Sequence, residues 1–117
     1  MVGLSANCER PSYIVANYLK ENGYTLIPVN PGEKMILGEV SYPSLKSIPS
    51  RVEIVDIFRK SENVLPIVFD AMGIGANVIW MQEGVVNREA AKIAKEAGLE
   101  VGMNKCIRKE HIKLNKP

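Results

Sequence analysis

Apolar strand-like runs alternate with helix-forming stretches along these 117 residues, and that alternation constrains the fold more than any single motif. Residues 52–58 show it most clearly. Val52, Ile54, Val55, Ile57 and Phe58 make a nearly continuous apolar strand, as expected of a parallel strand covered on both faces. Before it, Ile14, Val15, Tyr18 and Leu19 share one face of a helix over residues 12–22, with Ser12 as its cap and Gly23 as its terminator. Residues 24–29 then form a strand closed by the turn Asn30-Pro31-Gly32. Pro28 fits that strand only where its missing N–H faces no neighbour.

After residues 52–58, the polar loop 59–63 leads to a helix carrying Val64, Leu65, Val68, Phe69 and Met72, with Asn63 as cap and Pro66 in the first turn. Residues 77–81 form the next strand. Asn87 caps a helix that turns Ala90, Ile93, Ala94 and Ala97 inward, small enough for close approach to a sheet. A short strand at 99–103 and a helical turn at 109–113 complete the pattern. Residues 33–49 are the least regular: residues 35–40 are apolar with a mixed period, and one helical turn sits between Pro43 and Pro49. Crossovers of this length predict an α/β protein, one domain over residues 1–117, with a doubly wound parallel sheet of about five strands and helices on both faces.

The totals exclude several classes of function. A net charge of +2 is too small for a nucleic-acid binder, and Lys105, Arg108, Lys109, Lys113 and Lys116 read as a solvated basic end. Two cysteines and one histidine make neither a disulfide framework nor a zinc site. No apolar run approaches a membrane span, and no signal peptide is present, so the expected location is the cytoplasm, away from membranes. Only Met1 and Val2 precede Gly3, fewer than the five or six residues usual for a buried strand, which points to a start upstream or a stub strand.

Sheets of this kind bind ligands beyond the carboxyl ends of their strands, where strand order reverses. Four loops lie at that edge: residues 3–12, 30–34, 58–61 and 82–87. The first is the most informative. Gly3 allows a turn and a close ligand approach, Ser5, Asn7 and Ser12 are short polar groups, and Arg10 is a permanent cation suited to phosphate. Pro11 suits a first helical turn, whose free N–H groups and dipole attract anions. The loop is not a dinucleotide fingerprint, since Ser5 and Cys8 stand where further glycines belong. Asn30 replaces the acid that would hold an NAD ribose.

Val2-Gly3-Leu4-Ser5, Glu9-Arg10-Pro11-Ser12, Pro28-Val29-Asn30-Pro31, Gly38-Glu39, Tyr42-Pro43-Ser44-Leu45, Gln82-Glu83-Gly84-Val85 and Asn104-Lys105-Cys106-Ile107 together resemble the CoA-binding protein family. That family consists of stand-alone, three-layer Rossmann-like domains related to the CoA-binding domain of the succinyl-CoA synthetase alpha subunit. The resemblance spans essentially the whole chain, in order, and departs from the family at the short N-terminus. It implies coenzyme A as the cofactor. The loop carrying Gly3, Leu4, Ser5, Ala6, Arg10, Pro11 and Ser12 would hold the diphosphate. Asn30 and Pro31 would help seat the nucleotide, Phe58 and Arg59 would lie by the adenosine, and Met81, Gln82 and Glu83 would line the cofactor. Glu33 or Lys34 would stand near the position of a synthetase lysine.

Other reactive residues carry less. Cys8 reads as a passive loop residue, Cys106 as a buried apolar one, and His111 has no acid or nucleophile motif beside it. No nucleophile–base–orienter set emerges from spacing. The expected function is therefore non-catalytic binding of CoA or acyl-CoA. The alternatives are a small NAD- or ATP-dependent enzyme, or a protein-interaction module that has lost its ligand. A homodimer or another protein partner is compatible with the sheet edge beside the short first strand.

Overall fold

A computed structural model describes residues 1–115; Lys116, the last member of the basic end, lies outside them. Three parallel strands form the main ladder: β3 (Ile54–Ile57), β4 (Val78–Met81) and β5 (Glu100–Gly102), in that order across the sheet. Single-residue parallel bridges continue it on the β3 side, from Ile57 to Val2, from Val2 to Val29, and from Val29 to Tyr42. Read by chain position, Val2 is flanked by Val29 and β3, so strand order reverses there, as the alternating sequence implies.

Helices cover both faces. α1 (Pro11–Glu21) packs with α4 (Ile107–Leu114), and α2 (Val64–Gly73) with α3 (Arg88–Glu96). Two apolar clusters lie beneath them. One gathers Val55, Ile57, Val68, Ile79, Met81 and Ala94. The other gathers Leu4, Val15, Ala16, Leu19 and Leu26. The chain thus has the expected α/β, three-layer Rossmann-like architecture with a small parallel sheet.

Local departures from the sequence reading have physical causes. Residues 24–28 are not laddered, and pairing begins only at Val29, whose N–H donates to the Met1 carbonyl at 2.9 Å. Pro28 is accommodated because the bridge beside it is centred on Val29, where it contributes its carbonyl, accepting the Tyr42 N–H at 3.0 Å, and needs no N–H of its own. Residues 35–40 form an antiparallel hairpin, β1 (Met35–Ile36) with β2 (Glu39–Val40). Its two-residue turn has positive φ at both Leu37 and Gly38, the type that matches strand twist. Lys20 at the end of α1 holds that turn, donating to the Leu37 carbonyl and pairing with Glu39 at 3.3 Å.

Ser12 does not cap α1. Pro11 occupies the first helical position, Arg10 is the flanking residue without a side-chain cap, and Ser12 lies buried inside the first turn. On α3, Ala91 is buried and Ala97 is exposed, because Ala97 already belongs to the helix end. The Asn87 cap is present, accepting the Ala90 N–H at 2.9 Å. Phe69 is 52% exposed. α4 is longer than the expected turn at 109–113. Its attachment explains this: Tyr18 Oη is hydrogen-bonded to His111 Nδ1 at 2.7 Å, and Arg108 lies over the Tyr18 ring at 5.4 Å.

Candidate functional site

A cavity of about 510 Å³ opens at the carboxyl ends of the strands, where the order reverses. Its size suits a small-molecule or cofactor site. The first loop contributes Gly3, Ser5, Arg10, Pro11 and Ser12, and Asn30 comes from the turn after Val29. Phe58 and Arg59 follow β3, and Gln82 and Glu83 follow β4. Four loops distant in sequence thus meet around one space.

The first loop is held by its own polar groups. Ser12 Oγ accepts the Ser5 N–H at 3.0 Å, Ser5 Oγ accepts that of Asn7 at 3.0 Å, and Asn7 Oδ1 accepts that of Glu9 at 3.0 Å. Asn30 clamps it from outside. Its Nδ2 donates to the Leu4 carbonyl at 2.9 Å, while its Oδ1 accepts the Gly32 N–H at 2.8 Å. Gly3 has φ +86°, and a Cβ there would overlap the Phe58 carbonyl oxygen. The glycine is therefore required first by the chain's own crossing over the end of β3, whatever ligand binds above it.

The cavity is biased towards anions. Arg10 and Arg59 line it and are exposed, and Glu83 is paired with Lys109 at 3.0 Å. The helix start offers fewer donors than its sequence promises. Pro11 has no N–H, and those of Tyr13 and Ile14 both go to the Arg10 carbonyl, at 3.1 and 3.2 Å. Within the first turn this leaves Ser12 N–H without a partner among the described residues. The guanidinium groups, rather than a row of amides, supply most of the positive charge along the lining.

Not every expected residue lines this space. Leu4 and Met81 are fully buried and support the loops from the core. Ala6 is exposed outside the lining. Pro31 and Arg59 border a neighbouring cavity of about 270 Å³, so Arg59 stands between the two. Lys34 is exposed, and its carbonyl accepts the Ser41 N–H at 2.9 Å. Conversely, the lining includes Val15 and Cys106, to which the sequence reading gave no ligand role. Cys106 is half-buried at the start of α4, whereas Cys8 is exposed.

Behind the lining lies a polar pair that periodicity alone does not reveal. Asp56, in the middle of β3, is 3% exposed, and its Oδ1 accepts from Gln82 Nε2 at 2.8 Å. Gln82 Oε1 in turn accepts the Ile107 N–H at 3.3 Å, joining the loop after β4 to the first residue of α4. Burial pushes the Asp56 carboxyl up from 3.8 to about 6, outweighing the Gln82 hydrogen bond, which acts the other way.

Similar proteins agree with this architecture. A hypothetical protein of Pyrococcus horikoshii OT3 has a solved structure matching 98% of this chain and 81% of its own, at 43% identity and TM-score 0.95. The uncharacterized protein YneT of Bacillus subtilis (strain 168) is 39% identical over 111 residues, covering 95% of this chain and 82% of that protein. The apo acetyl-coenzyme A synthetase 1 of Ca. Korarchaeum cryptofilum shares the fold at TM-score 0.78 and 22% identity, over 88% of this chain and 25% of the synthetase. The family model described as CoA binding domain matches residues 1–112, and this chain belongs to that family.

Proposed function

We propose that the cavity binds coenzyme A or an acyl-CoA by its phosphates and that the protein carries, senses or presents the cofactor without reacting with it. The observation that carries this reading is the pair Arg10 and Arg59, brought by two different loops to one 510 Å³ cavity at the strand-order reversal. Two permanent cations lining one cleft suit a diphosphate, and family membership favours CoA among diphosphate-bearing cofactors. Asn30 argues against NAD, because its amide is occupied by Leu4 and Gly32. Glu83 is engaged by Lys109, so the lining suits holding an anion better than activating a nucleophile. Two free thiols, Cys8 and Cys106, fit a reducing cytoplasm.

Calorimetric titration with CoA, acetyl-CoA, NAD and ATP tests this reading. Micromolar binding confined to CoA and its thioester, weakened by Arg10→Ala, is the expected result. Tighter binding of NAD or ATP points to a nucleotide-dependent enzyme, and no binding of any of the four points to an interaction module.

A further inference from the structure

Asp56 is the one buried charged side chain among the described residues, and nothing in the ligand reading uses it. Its Oδ1 accepts a hydrogen bond from Gln82, while Oδ2 has no hydrogen-bond partner among the described residues. Gln82 reaches the cavity wall although it is only 3% exposed. An amide of this kind has two orientations of similar shape, with nitrogen and oxygen exchanged. Here an acceptor, Asp56, faces the nitrogen, and a donor, Ile107 N–H, faces the oxygen. Both neighbours favour the same orientation. An ionised carboxylate donates nothing, so exchanging the amide ends would set oxygen against oxygen at one end and N–H against N–H at the other.

We propose that Asp56 is a positioning residue for the ligand cavity: through Gln82 it fixes the floor of the cavity and the place of Cys106 and Ile107 at the start of α4. The role rests on the CoA reading for its ligand, but the geometry does not. The carboxylate lies behind Gln82, so the cavity gains an oriented amide without a bare negative charge facing an anionic cofactor. An acid at position 82 would hold the start of α4 as well but would repel the phosphates.

Two measurements on Asp56→Asn, Asp56→Leu and Gln82→Ala test this. Asn retains an acceptor oxygen for Gln82, whereas Leu keeps the branched skeleton, with bulkier ends, and removes the acceptor. By calorimetry, the CoA dissociation constant is expected to rise about tenfold in Asp56→Leu and in Gln82→Ala, with Asp56→Asn near wild type. The double variant, carrying both Asp56→Leu and Gln82→Ala, should lose no more affinity than Gln82→Ala alone, as for residues acting in series. Amide hydrogen exchange in the unliganded proteins supplies the second readout. The Ile107 N–H should exchange about tenfold faster in Asp56→Leu and at the wild-type rate in Asp56→Asn. Additive losses, equal losses in Asn and Leu, or unchanged Ile107 exchange would overturn the proposal. If the wild type binds no CoA while Ile107 exchange follows the stated pattern, the CoA reading fails and the positioning role stands.

Discussion

Gly3 lies directly beneath the backbone of Phe58: a Cβ on Gly3 would overlap the Phe58 carbonyl oxygen and come within 2.9 Å of the carbonyl carbon. The same two residues pair indirectly through Val2, whose carbonyl accepts the Phe58 N–H at 2.8 Å. The two loops are thus locked together where the sheet changes direction. Gly3→Ala must both adopt a left-handed φ and displace backbone, so it should destabilise the fold by about 2 kcal/mol or more. Urea denaturation reads this as a lower midpoint, and an unchanged midpoint would mean that the crossing relaxes without the glycine.

Much of this arrangement is legible wherever the cause is local. Asn87 announces its helix because a cap acts within three residues, and Pro66 marks a first turn because its missing N–H is harmless only there. The hairpin at Leu37-Gly38 is not legible, since a leucine at positive φ is no turn signal and its support comes from Lys20 on another element. In the site, Arg10, Ser12 and Asn30 can be picked out as short polar or cationic groups in the right loops. Their duties cannot: Ser12 ties a loop instead of capping a helix, and Asn30 is a clamp rather than a substitute for an acid. The Asp56–Gln82 bond joins β3 to the loop after β4, and only the register pairing Asp56 with Trp80 puts Gln82, two residues further on, within its reach.

Asn30 needs both ends of its amide, one to give to Leu4 and one to receive from Gly32. Asn30→Asp keeps the acceptor and turns a carboxylate oxygen towards the Leu4 carbonyl, losing one hydrogen bond and adding repulsion. The expected loss is about 1–3 kcal/mol of stability. CoA affinity should fall as well, because the loosened loop carries Arg10. Denaturation and titration of the same variant check both, and wild-type values in both would remove the clamp from the argument.

Arg10 and Arg59 come from different loops, so their phosphate contacts should be separable. Each Arg→Ala change should weaken CoA binding by about 1.5–3 kcal/mol, roughly ten- to a hundredfold. The double variant should approach the sum if each meets its own phosphate oxygen. Raising the salt concentration should weaken the wild type more than either single variant, since exposed charges are screened. A salt response equal in all three proteins would show that neither arginine meets the ligand.

The buried Asp56 carboxyl makes stability depend on pH in an unusual direction for an acid. Its value in the fold is about 6 against an ordinary 3.8, because burial disfavours the charged form. Below pH 4 the group is protonated in both folded and unfolded chains and contributes no difference. Between about pH 4 and 6 the folded chain holds a proton that the unfolded chain has lost, so stability falls as pH rises through that window. Above it the fold carries the ionised, half-satisfied carboxylate at a cost that no longer changes with pH. Asp56→Asn cannot ionise, so its urea midpoint should lack this decline; the buried Met1 ammonium, lowered to about 6 by desolvation and held up in part by the Asp56 charge, moves further down in the variant. Subtracting the two midpoint curves from pH 4 to 7 reads Asp56 together with the Met1 ammonium that it faces. A flat difference would mean that the carboxyl titrates normally and that its Oδ2 meets water.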